Sequence, residues 1–146
     1  MSPSRPIARR AARFLAAVVA LGLAASAAAA DSFPFDQDLL LDVTPMRPVK
    51  KVPMINIAAD GSARLSLWCK TVRGQVQLNG GSIRVEAGPL PDALPQYMSD
   101  GQCTPERMEA DRQTLVELAQ VTGWSQRGNV VTLSGPTALR FRVSDH

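Results

Sequence analysis

The chain has 146 residues, 45% hydrophobic and 20% charged, with 16 Lys+Arg against 13 Asp+Glu, a net charge of +3 and a sequence pI of 9.3. Four of those arginines (Arg5, Arg9, Arg10 and Arg13) fall in residues 1–30, which hold no acid, so residues 31–146 carry 12 basic and 13 acidic residues, a net of −1. A nucleic-acid binder needs a retained basic surface, and the sequence past residue 30 does not supply the excess.

The basic start is followed by an apolar run, Phe14 to Leu23, and a tract of small residues ending in Ala28-Ala29-Ala30. That order predicts a cleaved signal peptide over residues 1–30, with Asp31 as the first mature residue. The run is too short and too alanine-rich for a spanning helix, which needs about 20 strongly apolar residues. Arg9-Arg10 hints at twin-arginine export, but Phe14 stands late for that motif. The remainder, 31–146, is expected to be one domain with a single modest core, periplasmic or secreted.

The mature part opens with Phe33-Pro34-Phe35, and Leu39 to Val43 then reads as a short strand. Thr44 to Pro53 contains three prolines and the cations Arg47, Lys50 and Lys51. It is expected to be a solvated basic connection, with those cations as possible contacts for an acidic partner. Met54 to Ile57 is a second apolar run, and Ala59-Asp60-Gly61 marks a tight turn. From Arg64 to Trp68 the pattern alternates, with Leu65 and Leu67 inward and Arg64, Ser66 and Trp68 outward. Gln75 to Leu78 and Ser82 to Val85 flank Asn79-Gly80-Gly81 as a hairpin. A phosphate-binding P-loop is excluded there, because the required Gly-Lys-Ser/Thr ending is absent.

Gly88 to Gln102 reads as a loop, with Tyr97 and Met98 as possible plugs or partner contacts. Thr104 is a good N-cap and Pro105 a good first helical residue, so a helix is expected from Pro105 to about Val121. Its apolar face is Met108, Leu115, Leu118 and Ala119. The acids Glu106, Glu109, Asp111 and Glu117 read as a solvated face partnered by Arg107 and Arg112, not as a hydrolytic pair. The chain ends in a meander: Trp124 to Gln126, Val130 to Leu133 and Leu139 to Val143. Arg140 and Arg142 are expected on an outer face, discouraging edge pairing. Strands, one main helix, then strands predict an α+β fold, a small twisted antiparallel sheet wrapping that helix.

Cys69 and Cys103 are the only cysteines. In an exported chain they are most simply one disulfide. A zinc site would want four ligands, and the sole histidine is His146. A catalytic thiol would want a base or an electropositive setting, which Lys70 alone does not make. No catalytic residue, metal or cofactor is assigned.

Taken together, the strand ending at Trp68-Cys69, the hairpin "GQVQLNGGSIRV", the cysteine before the helix in "CTPERMEADRQTLVELAQVTGW" and the meander "NVVTLSGPTALRF" resemble the META domain family of HslJ-like heat-shock proteins. The resemblance spans about Leu39 to Val143. Where family members carry Gly-Cys-Asn, this chain has Trp68-Cys69-Lys70, and it has no tryptophan earlier in the domain. It therefore resembles a divergent branch, and no ligand contacts are carried over. The resemblance implies a small barrel-like domain, export or tethering, links to stress tolerance, and no enzymatic activity or cofactor.

Three functions follow as expectations. The first is a non-enzymatic, monomeric envelope protein acting by binding another protein in stress tolerance, with inhibition of a lysozyme-type hydrolase through Gly88 to Gln102 as a variant. The second is a carrier of a small apolar ligand in a cavity lined by Leu67, Val76 and Phe141. The third is a hydrolase with clustered carboxylates.

Overall fold

The structure is a computed structural model that describes residues 3–4 and 32–145; the targeting segment expected over 1–30 lies outside the described residues but for positions 3 and 4, as does His146. Eight strands follow one another around a closed antiparallel barrel, in the order β1 to β8. They are β1 (Asp38–Leu41), β2 (Met54–Ile57), β3 (Ser62–Ser66), β4 (Thr71–Asn79), β5 (Ser82–Ala87), β6 (Gly123–Arg127), β7 (Val130–Ser134) and β8 (Leu139–Val143). Two helices lie between β5 and β6, the short α1 (Pro95–Ser99) and α2 (Pro105–Ala119).

Alternation explains the strands. Leu39, Leu41, Ile55, Ile57, Leu65, Val72, Val76, Ile83, Val85, Val131, Leu133, Leu139 and Phe141 all point inward and are buried. Each full burial is worth about 1.5–3 kcal/mol relative to exposure. Closure comes from β1 meeting β8, with Leu39 opposite Val143 and Leu41 opposite Phe141. Small residues let the sheet curl: Ala63 stands opposite Gly74. A Cβ on Gly74 would lie 2.7 Å from the Glu86 carbonyl oxygen and 3.2 Å from Leu65 Cδ1, so β4 has no room there for a side chain.

The weakest junction is β5–β6, where the ladder is reduced to Ser82 opposite Gly123. Ile83 N–H donates to the Thr122 carbonyl (3.1 Å) and Trp124 N–H to that of Gly81 (2.9 Å), which completes this narrow join. The outer half of β5 borders α2 instead: Arg84 to Gly88 and Leu115, Val116 and Ala119 line one depression.

Connections alternate between the two mouths of an antiparallel barrel. The β1–β2, β3–β4 and β7–β8 turns share a mouth with the helical insertion, and α2 lies across it. Its start meets the β3–β4 turn, where Asp111 accepts from Lys70 N–H (2.8 Å). Its end meets the β7–β8 turn, where a Cβ on Gly135 would lie 2.9 Å from the Gln120 carbonyl oxygen. Leu118 and Val121 enter the core from this end. At the other mouth, Phe33 is buried and sits 5.2 Å from Phe35 and 5.1 Å, edge on, from Trp124, centroid to centroid. Trp124 Nε1 in turn donates to the Gly80 carbonyl (2.8 Å).

Several expectations shift. β1 ends at Leu41, and Val43 is exposed beyond it. β3 ends at Ser66, so the alternation stops there; Leu67 and Trp68 are both buried, and Trp68 does not face outward as expected. The Gly88–Gln102 stretch holds α1. α2 stops at Ala119 with Gln120 as its C-cap, close to the expected end near Val121, and β6 begins at Gly123. Ala119 is exposed, so it is not part of the apolar face. The barrel closes, so Arg140 and Arg142 have no free edge to guard; Arg142 pairs with Asp42 at 2.7 Å.

Candidate functional site

The helix-capped mouth gathers the residues singled out in the sequence. Thr104 caps α2, its hydroxyl accepting from Arg107 N–H at 3.3 Å, and Pro105 follows at the first helical position. Cys103 stands just before this cap and bonds to Cys69 in the β3–β4 turn, with 5.2 Å between their Cα atoms and 34 residues of separation. The disulfide thus fastens the start of α2 to the barrel wall.

Behind it lies a buried polar stripe, two of whose members, Arg107 and Asp111, were expected on a solvated face. Arg107, Asp111 and Thr114 are 1%, 0% and 6% exposed. A helix turns 3.6 residues per turn, so positions 107, 111, 114 and 118 lie on one face. Buried polar groups must find partners, and these do. Arg107 donates from Nε to the Gln102 carbonyl (2.8 Å), from Nη1 to that of Met46 (3.1 Å) and from Nη2 to that of Trp68. Asp111 accepts from Cys69 N–H (3.1 Å) and Lys70 N–H (2.8 Å). Thr114 donates back to the Ala110 carbonyl at 2.8 Å. One guanidinium therefore ties the β1–β2 loop, the β3–β4 turn and the approach to α2 together. The signal in the sequence was spacing alone: Arg107 and Asp111 continue the row that contains Thr114 and Leu118.

Burial pushes the Asp111 carboxyl above its ordinary value; the N–H groups of Lys70, Cys69 and Trp68, and the charge of Lys51, pull it part of the way back. Lys51 is pushed below its ordinary value, first by burial, with Arg107 and Arg64 adding repulsion and Asp111 opposing them. Lys51 is half-buried and faces this polar cluster, whereas Arg47 and Lys50 are exposed.

Tyr97 and Met98 are exposed on α1, as is Leu94 before it, and α1 buries none of its residues. Lys70 Nζ stands 6.0 Å above the Tyr97 ring centroid, at the limit of a cation–π contact. Cys103 N–H donates to the Tyr97 carbonyl at 2.7 Å, which ties α1 to the disulfide. A Cβ on Gly101 would lie 3.7 Å from Pro48 Cγ, so the Arg47–Lys50 stretch lies beside the end of α1. That stretch lines an open depression of about 590 Å³. Arg47, Lys50, Tyr97 and Met98 are therefore brought to one mouth, and Lys51 turns inward.

The carboxylates do not converge. Glu109 pairs with Arg112 at 3.0 Å, Glu117 accepts from Gln113 at 2.9 Å, and Asp111 is sealed beneath the β3–β4 turn. Leu67, Val76 and Phe141, the proposed walls of a ligand cavity, are 0%, 5% and 0% exposed and pack in the core. Among the described residues no cluster of three or more His, Cys, Asp and Glu is placed to hold a metal ion. No helix among the described residues is long and apolar enough to cross a membrane.

Fold and site together define a small filled barrel, stopped at one mouth by a helix that a disulfide and a buried arginine hold in place. The chain belongs to the META domain family, whose model matches residues 40–145. No curated protein matches it. Among solved structures, it is similar to a DUF4847 family protein from Bacteroides vulgatus ATCC 8482, with 18% identity and a TM-score of 0.46 over 62% of this chain and 57% of that one.

Proposed function

We propose that this META domain protein is exported after cleavage at residue 30 and acts, as a monomer in the periplasm or outside the cell, by binding another protein in stress tolerance. Catalysis is not its role. The observation that carries this reading is the contrast between a packed interior and an outward-facing mouth. Leu67, Val76 and Phe141 fill the barrel, while Leu94, Tyr97 and Met98 stand exposed beside Arg47 and Lys50. Exposed aromatic and thioether side chains next to basic ones are what a protein contact uses, and they contribute nothing to the core. The disulfide is the kind of bond that persists in an oxidising compartment. The same surface, which includes Gly88 to Gln102, would serve an inhibitor of a lysozyme-type hydrolase.

The test uses the purified protein, disulfide formed, as bait in envelope extract, beside a Tyr97→Ser/Met98→Ser double variant. Both positions are exposed, so the variant should melt at the same temperature as the parent. A discrete protein held by the parent and lost by the variant is the expected result. Equal retention by both would remove α1 from the contact. Lipid recovered with the bait, and no protein, would favour the carrier reading over this one.

A further inference from the structure

On the outer barrel wall, β3 and β4 place Arg64 directly opposite Arg73. Both are exposed on the outer face. Like charges directly opposite on one face of an antiparallel pair are destabilising. Among the described residues no ion pair or side-chain hydrogen bond offsets this pair. The ion pairs among the described residues are Arg84–Glu86, Arg112–Glu109 and Arg142–Asp42, and neither Arg64 nor Arg73 donates a side-chain hydrogen bond there. The usual reason for charges on an outer strand face, guarding an edge, fails in a closed barrel.

The two guanidinium groups border a concavity of about 630 Å³ whose other walls are Asn56, Ala58, Ser62, Thr71 and Gln75, with Ala63 and Gly74 at its floor. Its side chains are polar or small. Two neighbours are already engaged: the Asn56 amide donates to Asp38 (2.9 Å) and the Ser62 hydroxyl to Asp60 (2.6 Å). The Thr71 hydroxyl and the Gln75 amide remain as donors beside the arginines. Asp60 lies beyond Ser62 in the β2–β3 turn, and Glu86, opposite Gln75, is taken by Arg84. Lys51 adds a third positive charge nearby, and Arg64 contributes to the repulsion that pushes Lys51 below its ordinary value.

We propose that Arg64 and Arg73 form a receptor for a tetrahedral oxyanion of the phosphate class, bound across β3 and β4. Guanidinium forks match phosphate oxygens in paired, charge-assisted hydrogen bonds, and one dianion between two forks turns a repulsive pair into a bridged one. Thr71 and Gln75 supply neutral donors to the remaining oxygens. The phosphate is either free, as an inorganic ion or small ester, or part of an anionic lipid headgroup.

Inorganic phosphate titrated into the purified protein at constant ionic strength, with the arginine Nε–Hε signals followed by NMR, tests the site. Saturable shifts of Arg64 and Arg73 are expected, with affinity falling about tenfold or more in Arg64→Gln and in Arg73→Gln, and unchanged in Arg140→Gln. Both residues are exposed, and an unchanged melting temperature confirms that the variants fold. Co-sedimentation with phosphatidylglycerol vesicles but not phosphatidylcholine vesicles, lost in the same variants, would make the phosphate a lipid's; a response to inorganic phosphate alone would make it a free one. Shifts that do not saturate, that are equal at all surface arginines, or that persist in both variants overturn the proposal, as does a lack of response to either probe. The Tyr97→Ser/Met98→Ser variant should bind phosphate like the parent, so this site and the protein-binding surface stand or fall separately.

Discussion

At the scale of single residues, the protein depends on charge where a core would normally be apolar. Arg107 serves three backbone carbonyls from three separate segments, and Asp111 gathers the amides of a turn that forms no sheet ladder. The Asp111 carboxyl is pushed above its ordinary value of 3.8, chiefly by burial. The folded state therefore binds more protons than the unfolded chain between that ordinary value and the raised one. The group's contribution to stability is complete below the ordinary value and is lost as pH rises through the raised one. Asp111→Asn cannot titrate, so the stability of the parent minus that of the variant should fall with rising pH above about 4 and then level off. Urea denaturation of both proteins across that range measures it; a difference that stays flat or climbs would contradict the assignment. Neither residue's burial was legible in the sequence, because a charged residue at helical spacing is far more often solvated, and only the row it shares with Leu118 pointed the other way.

At the scale of elements, local chemistry was readable and junctions were not. β2 covers the apolar run from Met54 to Ile57, β8 runs over the residues its alternation predicts, and α2 starts where Thr104 and Pro105 require. The far end of α2 was not marked: the helix stops because Gln120 and Val121 run against the β7–β8 turn at Gly135, a tertiary contact. Trp68 escaped for a similar reason, since alternation holds only while a strand continues and β3 ends at Ser66. Prolines at 89, 91 and 95 argued for a loop, yet Pro95 begins α1, where a proline's missing N–H costs nothing. The disulfide belongs to this scale, because it joins a turn to a helix. Its 34-residue separation gives about 3–4 kcal/mol from restriction of the unfolded chain. Cys69→Ser should lower the melting temperature by several degrees, in the range of about 10 °C. An unchanged melting curve would show that the polar stripe alone anchors the helix.

At the scale of the whole molecule, the decisive feature is closure. Alternation showed which side of β3, β4, β5 and β8 faced inward, and the barrel-like form was implied by the resemblance to META domains. Alternation could not show that β1 would meet β8, because that pairing joins residues about 100 apart and leaves no local mark. Closure also concentrates weakness in one place. Seven junctions carry ladders of three to six residue pairs, while β5–β6 carries one. Local opening begins where backbone hydrogen bonds are fewest. In native-state hydrogen exchange, the amides of Ile83 and Trp124 should exchange faster than those of Gln77 and Arg84, which face each other within the β4–β5 hairpin. Equal protection would mean that α2 seals the join as well as a strand would.

The meeting of the first and last strands carries one more consequence. Ser144 N–H donates to the Asp38 carbonyl at 2.8 Å, and Ser32 and Asp145 border the same hollow. Ser32 and Asp145, on either side of the barrel's first and last strands, are therefore neighbours, and the gap between them interrupts the ring of hairpins no more than another turn would. Joined from Asp145 to Ser32 and reopened at Gly128, residues 32–145 would keep the other ladders, the aromatic stopper and the sulfur bridge. The order in which the strands are strung together is thus separable from how the barrel is wound.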